Sequence, residues 1–322
     1  MIYKNLGRSG LKVSRLCLGT MNFGEVTPKK ESFNIMDEAV NLGINFIDTA
    51  NVYGGKFGEG ITENIIGQWL TGNKSQRDKI VLATKVHNPM GNLPNENLLS
   101  AYHIKRACEN SLKRLKTDHI DLYQIHHVDR TTPWEEIWQA FEQLITEGKI
   151  TYAGSSNFAG WDLATASERA NKRDMFGLVS EQSKYNLFNR KIEREVIPAC
   201  EYYGIGIIPW SPLEGGLLGG VIKKRKEGRR NTNEIKDKFV QNKVQIEQWE
   251  KFCAEINEDP GESALAWLLH QKVVTSPIIG PRNVEQLKKS IRALEISFDE
   301  NHLEKIDQIF PPAGIAPHYY SW

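Results

Sequence analysis

Along the chain, short apolar runs rich in Val, Ile, Leu and Phe alternate with longer stretches whose apolar residues recur at the helical period, the pattern of βαβ units building a parallel sheet. The runs predict strands at 16–18, 45–47, 80–83, 120–125, 150–154, 178–180, 206–209 and 275–279. The amphipathic stretches predict helices at 29–42, 62–70, 99–115, 133–147, 161–172, 192–203, 242–255 and 284–293. Pro133, following Thr132, sits where a first helical turn tolerates a missing N–H, and Gly148 falls just past the end of the same helix. Ahead of the first repeat, 3–6 and 12–14 read as short strands around Gly7-Arg8-Ser9-Gly10, an N-terminal β-hairpin that caps the rest.

Eight strand–helix pairs, recurring about every 30 residues over most of the chain, predict an α/β fold: a (β/α)8 TIM barrel, in which closure removes both sheet edges. An open doubly wound sheet is the alternative arrangement of the same elements. The stretch 211–240, rich in glycine and basic residues, breaks the repeat after the seventh strand, and 261–271 and 299–310 read as added helices. No Pro- or Ser-rich linker divides the sequence, so residues 1–322 are expected to form a single domain.

Composition narrows the partners. The 41 basic and 40 acidic residues leave a formal charge of +1, which gives nucleic acid or an anionic membrane no electrostatic advantage and leaves small molecules as the expected ligands. The N-terminal segment has no apolar run suited to a signal peptide, and no later one approaches the ~20 apolar residues of a membrane span, so a cytoplasmic protein is expected. Cys17, Cys108, Cys200 and Cys253 are scattered without disulfide or zinc spacing and are expected to be reduced. Homo-oligomer formation stays open.

A barrel places its chemistry at the carboxyl ends of its strands. There the sequence offers Gly19-Thr20-Met21, Asp48 with Tyr53 five residues on, Lys85, His126-His127, Ser155-Ser156-Asn157, Glu181-Gln182 and Trp210-Ser211-Pro212. An acid, a phenol, an amine and an imidazole on successive strand ends can transfer a proton. An ammonium at Lys85 would favour the anion of Tyr53 and lower a pKa that is ordinarily about 10. Asp48 would hold Lys85 as an ion pair, and His126 would donate a hydrogen bond to a carbonyl oxygen or to the phenol. Taken singly, each has an ordinary structural explanation, whether cap, solvated strand end, core histidine or loop aromatic. Metal chemistry is disfavoured because adjacent residues on a strand point to opposite faces, so His126 and His127 could not both ligate one ion.

Together these stretches resemble the aldo-keto reductase superfamily. The resemblance rests on Gly19-Thr20-Met21-Asn22-Phe23-Gly24, Asn45-Phe46-Ile47-Asp48-Thr49-Ala50-Asn51-Val52-Tyr53-Gly54, Thr84-Lys85-Val86 and Asp121-Leu122-Tyr123-Gln124-Ile125-His126. It continues through Gly154-Ser155-Ser156-Asn157-Phe158, Gln182 with Tyr185-Asn186, Pro209-Trp210-Ser211-Pro212-Leu213 and Ile279-Gly280-Pro281-Arg282, nearly the whole chain. It implies NADP(H) extended across the barrel mouth, a catalytic tetrad of Asp48, Tyr53, Lys85 and His126, and reduction of a small-molecule carbonyl substrate to an alcohol. By the same resemblance Gly19, Thr20 and Met21 belong to the cofactor site. Ser156, Asn157 and Gln182 bond the nicotinamide carboxamide, and Trp210 stacks on its ring. Ser211, Pro212, Leu213 and Gly215 bring backbone amides to the pyrophosphate, while Arg230, Gly280, Arg282 and Gln286 complete the adenosine end, with Arg282 facing the 2′-phosphate.

Two positions depart from the family pattern: Ser290 stands where an asparagine is common, and Val221 where a lysine is customary. Both leave the adenine contacts open. Substrate-lining candidates are Phe23, Tyr53, His87 and His126, with Trp210 and the terminal Tyr319-Tyr320-Ser321-Trp322 as further aromatic surface. Potassium-channel β-subunits resemble the same motifs, so a redox-sensing regulatory subunit with slow turnover is the second expectation. The lack of an extension before Met1-Ile2-Tyr3 is expected to favour a free-standing enzyme.

Overall fold

The computed structural model describes residues 1–55, 58–72, 74–222 and 232–321. A two-stranded antiparallel hairpin, β1 (Tyr3–Asn5) and β2 (Lys12–Ser14), precedes eight parallel strands. These are β3 (Cys17–Gly19), β4 (Phe46–Asp48), β5 (Val81–Val86), β6 (Ile120–Ile125), β7 (Ile150–Ser156), β8 (Leu178–Gln182), β9 (Gly206–Ile207) and β10 (Ile278–Ile279), paired in the order β10-β3-β4-β5-β6-β7-β8-β9. Closure comes from the last pair. Thr275 N donates to Ile207 O at 2.8 Å and Ile278 N to Pro209 O at 2.8 Å, joining β9 to the approach of β10. The expected barrel is therefore what forms.

Helices α1 (Lys29–Asn41), α2 (Ile61–Gly72), α3 (Ala101–Leu115), α4 (Trp134–Thr146), α5 (Gly160–Asn171) and α6 (Val196–Tyr203) follow the strands in turn. After β9 come α7 (Asn233–Gln241), α8 (Lys243–Glu255) and α9 (Pro260–His270), and after β10 come α10 (Val284–Ile291), α11 (Glu300–Ile309) and α12 (His318–Ser321). Side-chain caps fix several starts. Ser100 accepts from His103 N at 3.2 Å, Asp259 from Gly261 N at 2.8 Å with Pro260 next in the chain, and Asn283 from Gln286 N at 2.9 Å.

Three sequence expectations shift. The strands expected at 206–209 and 275–279 shorten to two residues each, because Pro209 and Pro277 carry no N–H for a ladder. The helix expected from 192 starts as a 3-10 turn at Lys191–Glu193 and becomes α-helical only at Val196, two residues before Pro198. Within 211–240, α7 was not foreseen.

The barrel interior has two layers. Toward the strand starts, Cys17, Phe46, Val81, Ala83, Leu122, Val179 and Ile208 form a cluster plugged by Leu6 and Val13 of the hairpin. Gly7 makes that plug fit, since its φ is +56° and a Cβ there would lie 2.5 Å from both Gly204 O and Val179 O. Toward the strand ends the inward positions turn polar, with Asp48, Lys85, Gln124 and Gln182 all buried. All four cysteines are free and buried.

Candidate active site

Strand alternation builds the centre of the site. Phe46 and Asp48 on β4, like Ala83 and Lys85 on β5, point inward at two-residue spacing, so the apolar layer gives way to an ion pair one pleat higher. Lys85 Nζ donates to Asp48 Oδ2 at 2.6 Å, to Thr49 O at 2.8 Å and to Tyr53 Oη at 3.2 Å. Asp48 Oδ1 accepts from Gln124 Nε2 and from Gln182 Nε2, each at 2.9 Å. The carboxylate is thereby held on both oxygens. Thr20 adds a brace from the first loop, its Oγ1 donating to Asp48 O at 2.9 Å.

Electrostatics follow from this burial. Burial opposes the Lys85 ammonium, yet Asp48 and Tyr53 outweigh it and its pKa is raised. Tyr53 departs from the sequence expectation. Burial lifts its pKa more than Lys85 depresses it, so the phenol stays protonated at neutral pH and is an acid, not a phenolate. The His126 ring meets the Tyr53 ring edge-on with centroids 5.9 Å apart. Burial first, then Lys85, His127 and His87, push His126 down to about 2, so the imidazole is neutral.

The opposite-face argument for His126 and His127 fails. Strand β6 ends at Ile125, and beyond it the two rings stack nearly parallel, with centroids 5.1 Å apart and planes at 3°. His87, with φ +145°, meets His127 edge-on at 5.5 Å, so three imidazoles follow one another outward from Tyr53 in the order His126, His127, His87. Among the described residues no group of three or more His, Cys, Asp or Glu is arranged to hold a metal ion.

A second group of candidates forms beside the tetrad. Asn157, left-handed at φ +61°, donates from Nδ2 to His126 O and Ser156 Oγ, and its Oδ1 accepts from Trp210 Nε1 at 3.0 Å. Ser156 Oγ donates to Gln182 O at 2.7 Å. Beyond Trp210, Ser211, Glu214, Gly215 and Gly216 take positive φ, and the Glu214, Gly216 and Leu217 amides donate to Ser211 O, Leu213 O and Glu214 O in a tight series of turns. Glu214 anchors this loop. Its carboxylate is tied to Lys184 at 2.7 Å and to Lys238 of α7 at 3.0 Å, which also fastens α7 to the loop. Pro212 is buried beside it and Leu213 packs on the core. The Asn157 amide just past β7, Gln182 at the end of β8 and the half-buried Trp210 indole just past β9 stand on successive strand ends, with the Ser211–Gly216 loop following, an order that fits a nicotinamide head followed by a pyrophosphate.

On the other rim, Gly19 must lack a side chain, since a Cβ would lie 2.4 Å from Ile278 Cγ2. Met21 is exposed, and Asn22 Nδ2 donates to Gly280 O at 3.0 Å, joining the loops after β3 and β10. Gln286 Oε1 accepts from Arg282 N at 3.0 Å, so Gln286 shapes the turn that carries Arg282. Arg230 lies outside the described residues.

One substrate candidate needs correction. Phe23 is fully buried in the core, because the loop turns back through Phe23 N donating to Thr20 O and Thr62 Oγ1 donating to Phe23 O, and it offers a substrate no surface. In the tail, Tyr319 packs against the Arg194 guanidinium and Tyr320 Oη donates to Glu195 at 3.3 Å; both rings stay exposed, and Trp322 lies outside the described residues. The sequence reading assigned no role to Gln124, although the period-two spacing from Leu122 already puts it on the inward face.

Residues 15–310 match the model of the Aldo/keto reductase family. An uncharacterized oxidoreductase of Bacillus subtilis is 52% identical, with 100% of each chain covered. The versiconal hemiacetal acetate reductase of Aspergillus parasiticus is 31% identical over 98% of this chain and 99% of its own. A rice protein named "Probable voltage-gated potassium channel subunit beta" is 33% identical over 92% of each.

Proposed function

Since the chain belongs to the aldo/keto reductase family and is an oxidoreductase by that kinship, we propose that it reduces aldehydes or ketones to alcohols with NADPH, Tyr53 serving as general acid. The observation that carries this reading is the buried chain Asp48–Lys85–Tyr53 with the neutral His126 ring beside the phenol. NADPH, when bound, supplies a hydride to the carbonyl carbon. Everything else falls to this chain's residues. Tyr53 hands its proton to the carbonyl oxygen as negative charge develops there, and Lys85 then stabilises the phenolate left behind. Asp48 keeps Lys85 aimed at Tyr53, while Gln124 and Gln182 keep Asp48 from turning away. His126, neutral, holds the carbonyl oxygen by a hydrogen bond without competing for the proton.

Asn157, Ser156 and Gln182 orient the carboxamide, Trp210 covers the ring, and the loop from Ser211 to Gly215 receives the pyrophosphate. Arg282 favours the 2′-phosphate, so NADPH should bind at least about tenfold more tightly than NADH. We place the protein in the cytoplasm; among the described residues no helix is long and apolar enough to cross a membrane. A regulatory role on a channel-like partner is the second reading, favoured by the rice relative's name. Turnover of an aldehyde panel, followed by NADPH absorbance with fluorescence titration of both nucleotides, separates them. Reaction no faster than background sinks the enzyme, and equal affinities sink the NADPH preference.

A further inference from the structure

Among the described residues, Glu181 is a fully buried carboxylate beside the proposed carboxamide site that the mechanism does not use. It lies on β8 between Ser180 and Gln182, and those neighbours face the barrel interior, so its side chain points outward between the β7 and β8 loops. Its Oε1 accepts from Ser183 Oγ at 2.6 Å and from Phe158 N at 3.2 Å. Its Oε2 lies 2.5 Å from Ser155 Oγ, which is also 3.2 Å from Ser180 O.

That last pair of contacts favours a proton on the carboxyl. A serine hydroxyl has one hydrogen, which it can only share between a carboxylate and a carbonyl. If Glu181 is an acid whose O–H donates to Ser155 Oγ, the serine hydrogen is left for Ser180 O and both contacts are full hydrogen bonds. In that form Oε1 still accepts from Ser183 Oγ and Phe158 N, and no charge is buried. Burial independently raises the Glu181 pKa to about 7. The Ser155 and Ser183 hydroxyls and the Phe158 and Asn157 amides all favour the charged form, and burial outweighs them. From β7 the carboxyl meets the Ser155 hydroxyl, from the turn beyond it the Phe158 amide, from the β8 loop the Ser183 hydroxyl, and from α6 the Cys200 thiol, whose own pKa Glu181 helps to raise.

We propose that Glu181 is a positioning residue: as a neutral acid it locks the Ser156–Asn157 turn in the shape that receives the nicotinamide carboxamide, and losing its proton weakens cofactor binding. The inference rests on the cofactor reading above. Deprotonation forces Ser155 to swing its hydrogen from Ser180 O to Oε2, which gives up the side-chain bond from β7 to the β8 backbone while the strand ladder itself stays paired. It also leaves a buried charge that is relieved by opening the Phe158 turn to water. Asn157, the residue before Phe158, carries that movement to Trp210 and His126 through its amide.

The test is the pH profile of binding, measured by fluorescence with NADH as well as NADPH, because a 2′-phosphate itself titrates near pH 6. Wild-type Kd for NADH should rise about threefold or more between about pH 6 and about pH 8.5. Glu181→Gln keeps the same donor and acceptor pattern without a titrating proton, and should bind as the wild type does at low pH with a flat profile. A variant profile as steep as the wild type's, or a folded variant that binds poorly at every pH, overturns the proposal while leaving the cofactor reading intact. Binding of neither nucleotide by either protein at any pH overturns both. Should Glu181→Gln not fold, infrared difference spectra of the wild type supply the answer: a protonated-carboxyl band that fades over this range and moves in Ser155→Ala supports the proposal, and its absence refutes it.

Discussion

Replacing Tyr53 with Phe removes one oxygen and leaves almost everything around it in place. Lys85 Nζ keeps Asp48 at 2.6 Å and Thr49 O at 2.8 Å, and it still lies 4.8 Å from the centroid of the ring at position 53. The lost bond at 3.2 Å is therefore the weakest of the three that hold the ammonium, with a net worth of about 1 kcal/mol or less. A small shift in Tm is expected. The effect on chemistry is of another order, since loss of a positioned proton donor lowers kcat by about 100- to 10,000-fold, or roughly 3–5 kcal/mol of transition-state stabilisation. No cofactor group proposed above touches the phenol oxygen, so the Kd for NADPH should stay within about twofold of wild type. Initial rates at saturating aldehyde, a fluorescence titration and a thermal melt on the same preparation give all three numbers. Reduction within about tenfold of wild type would show that the proton comes from elsewhere. Cofactor affinity lost together with turnover would show that Tyr53 is structural.

The ion pair makes a sharper stability prediction. Lys85→Met leaves the buried Asp48 carboxylate with only amide donors and should cost about 3–5 kcal/mol, read from the urea midpoint, whereas Asp48→Asn combined with Lys85→Met should recover most of that and remain inactive. A double variant no more stable than the single one contradicts this account. The acid side of the pH profile tests His126, whose pKa falls from 6.5 unfolded to about 2 folded. Below pH 6.5 the unfolded chain takes up a proton that the folded chain refuses, so stability falls on acidification with a slope of up to about 1.4 kcal/mol per pH unit from this group. His126→Gln should flatten that slope, and an unchanged slope in the variant would assign the acid sensitivity elsewhere. Because His126 is neutral and Tyr53 protonated across the neutral range, kcat at saturating cofactor should be level from about pH 6 to about pH 9, with any fall confined to KM for the cofactor.

How far the sequence could be read depended on which physical rule governed each segment. The strand–helix rhythm was legible because burial against a barrel imposes period two or 3.6 wherever a segment has one wet face, and all eight strands lie within a few residues of where that rhythm placed them. It misplaced the ends of β9 and β10 because apolarity continues through Pro209 and Pro277 although hydrogen bonding cannot. It missed α7 because its pattern follows a charge run and its anchor, Lys238 to Glu214, is a tertiary contact. That Asp48, Tyr53, Lys85 and His126 would meet was legible from strand-end position together with family resemblance. The protonation of Tyr53 was not, since the balance between burial and Lys85 is set by how much of the mouth is closed. Strand alternation also misjudged His126 and His127, because it was carried past Ile125, the last residue to which it applies.

The polar layer itself calls for an explanation beyond stability. One pleat below it, Phe46 and Ala83 show what the barrel places inside when only packing matters. An apolar pair at positions 48 and 85 would avoid the desolvation of two charges and would be expected to hold the strands at least as well. Yet the chain surrounds the pair with four more groups, Thr20, Thr49, Gln124 and Gln182, each contributing a hydrogen bond to a member of it. These bonds leave Lys85 a single direction in which to spend its remaining hydrogen, toward Tyr53 at the open end. Rigidity of that kind is wasted on a structural ion pair. It is what a site needs if a phenol must lose a proton in the transition state and find a positive charge already fixed beside it, with no solvent left to rearrange.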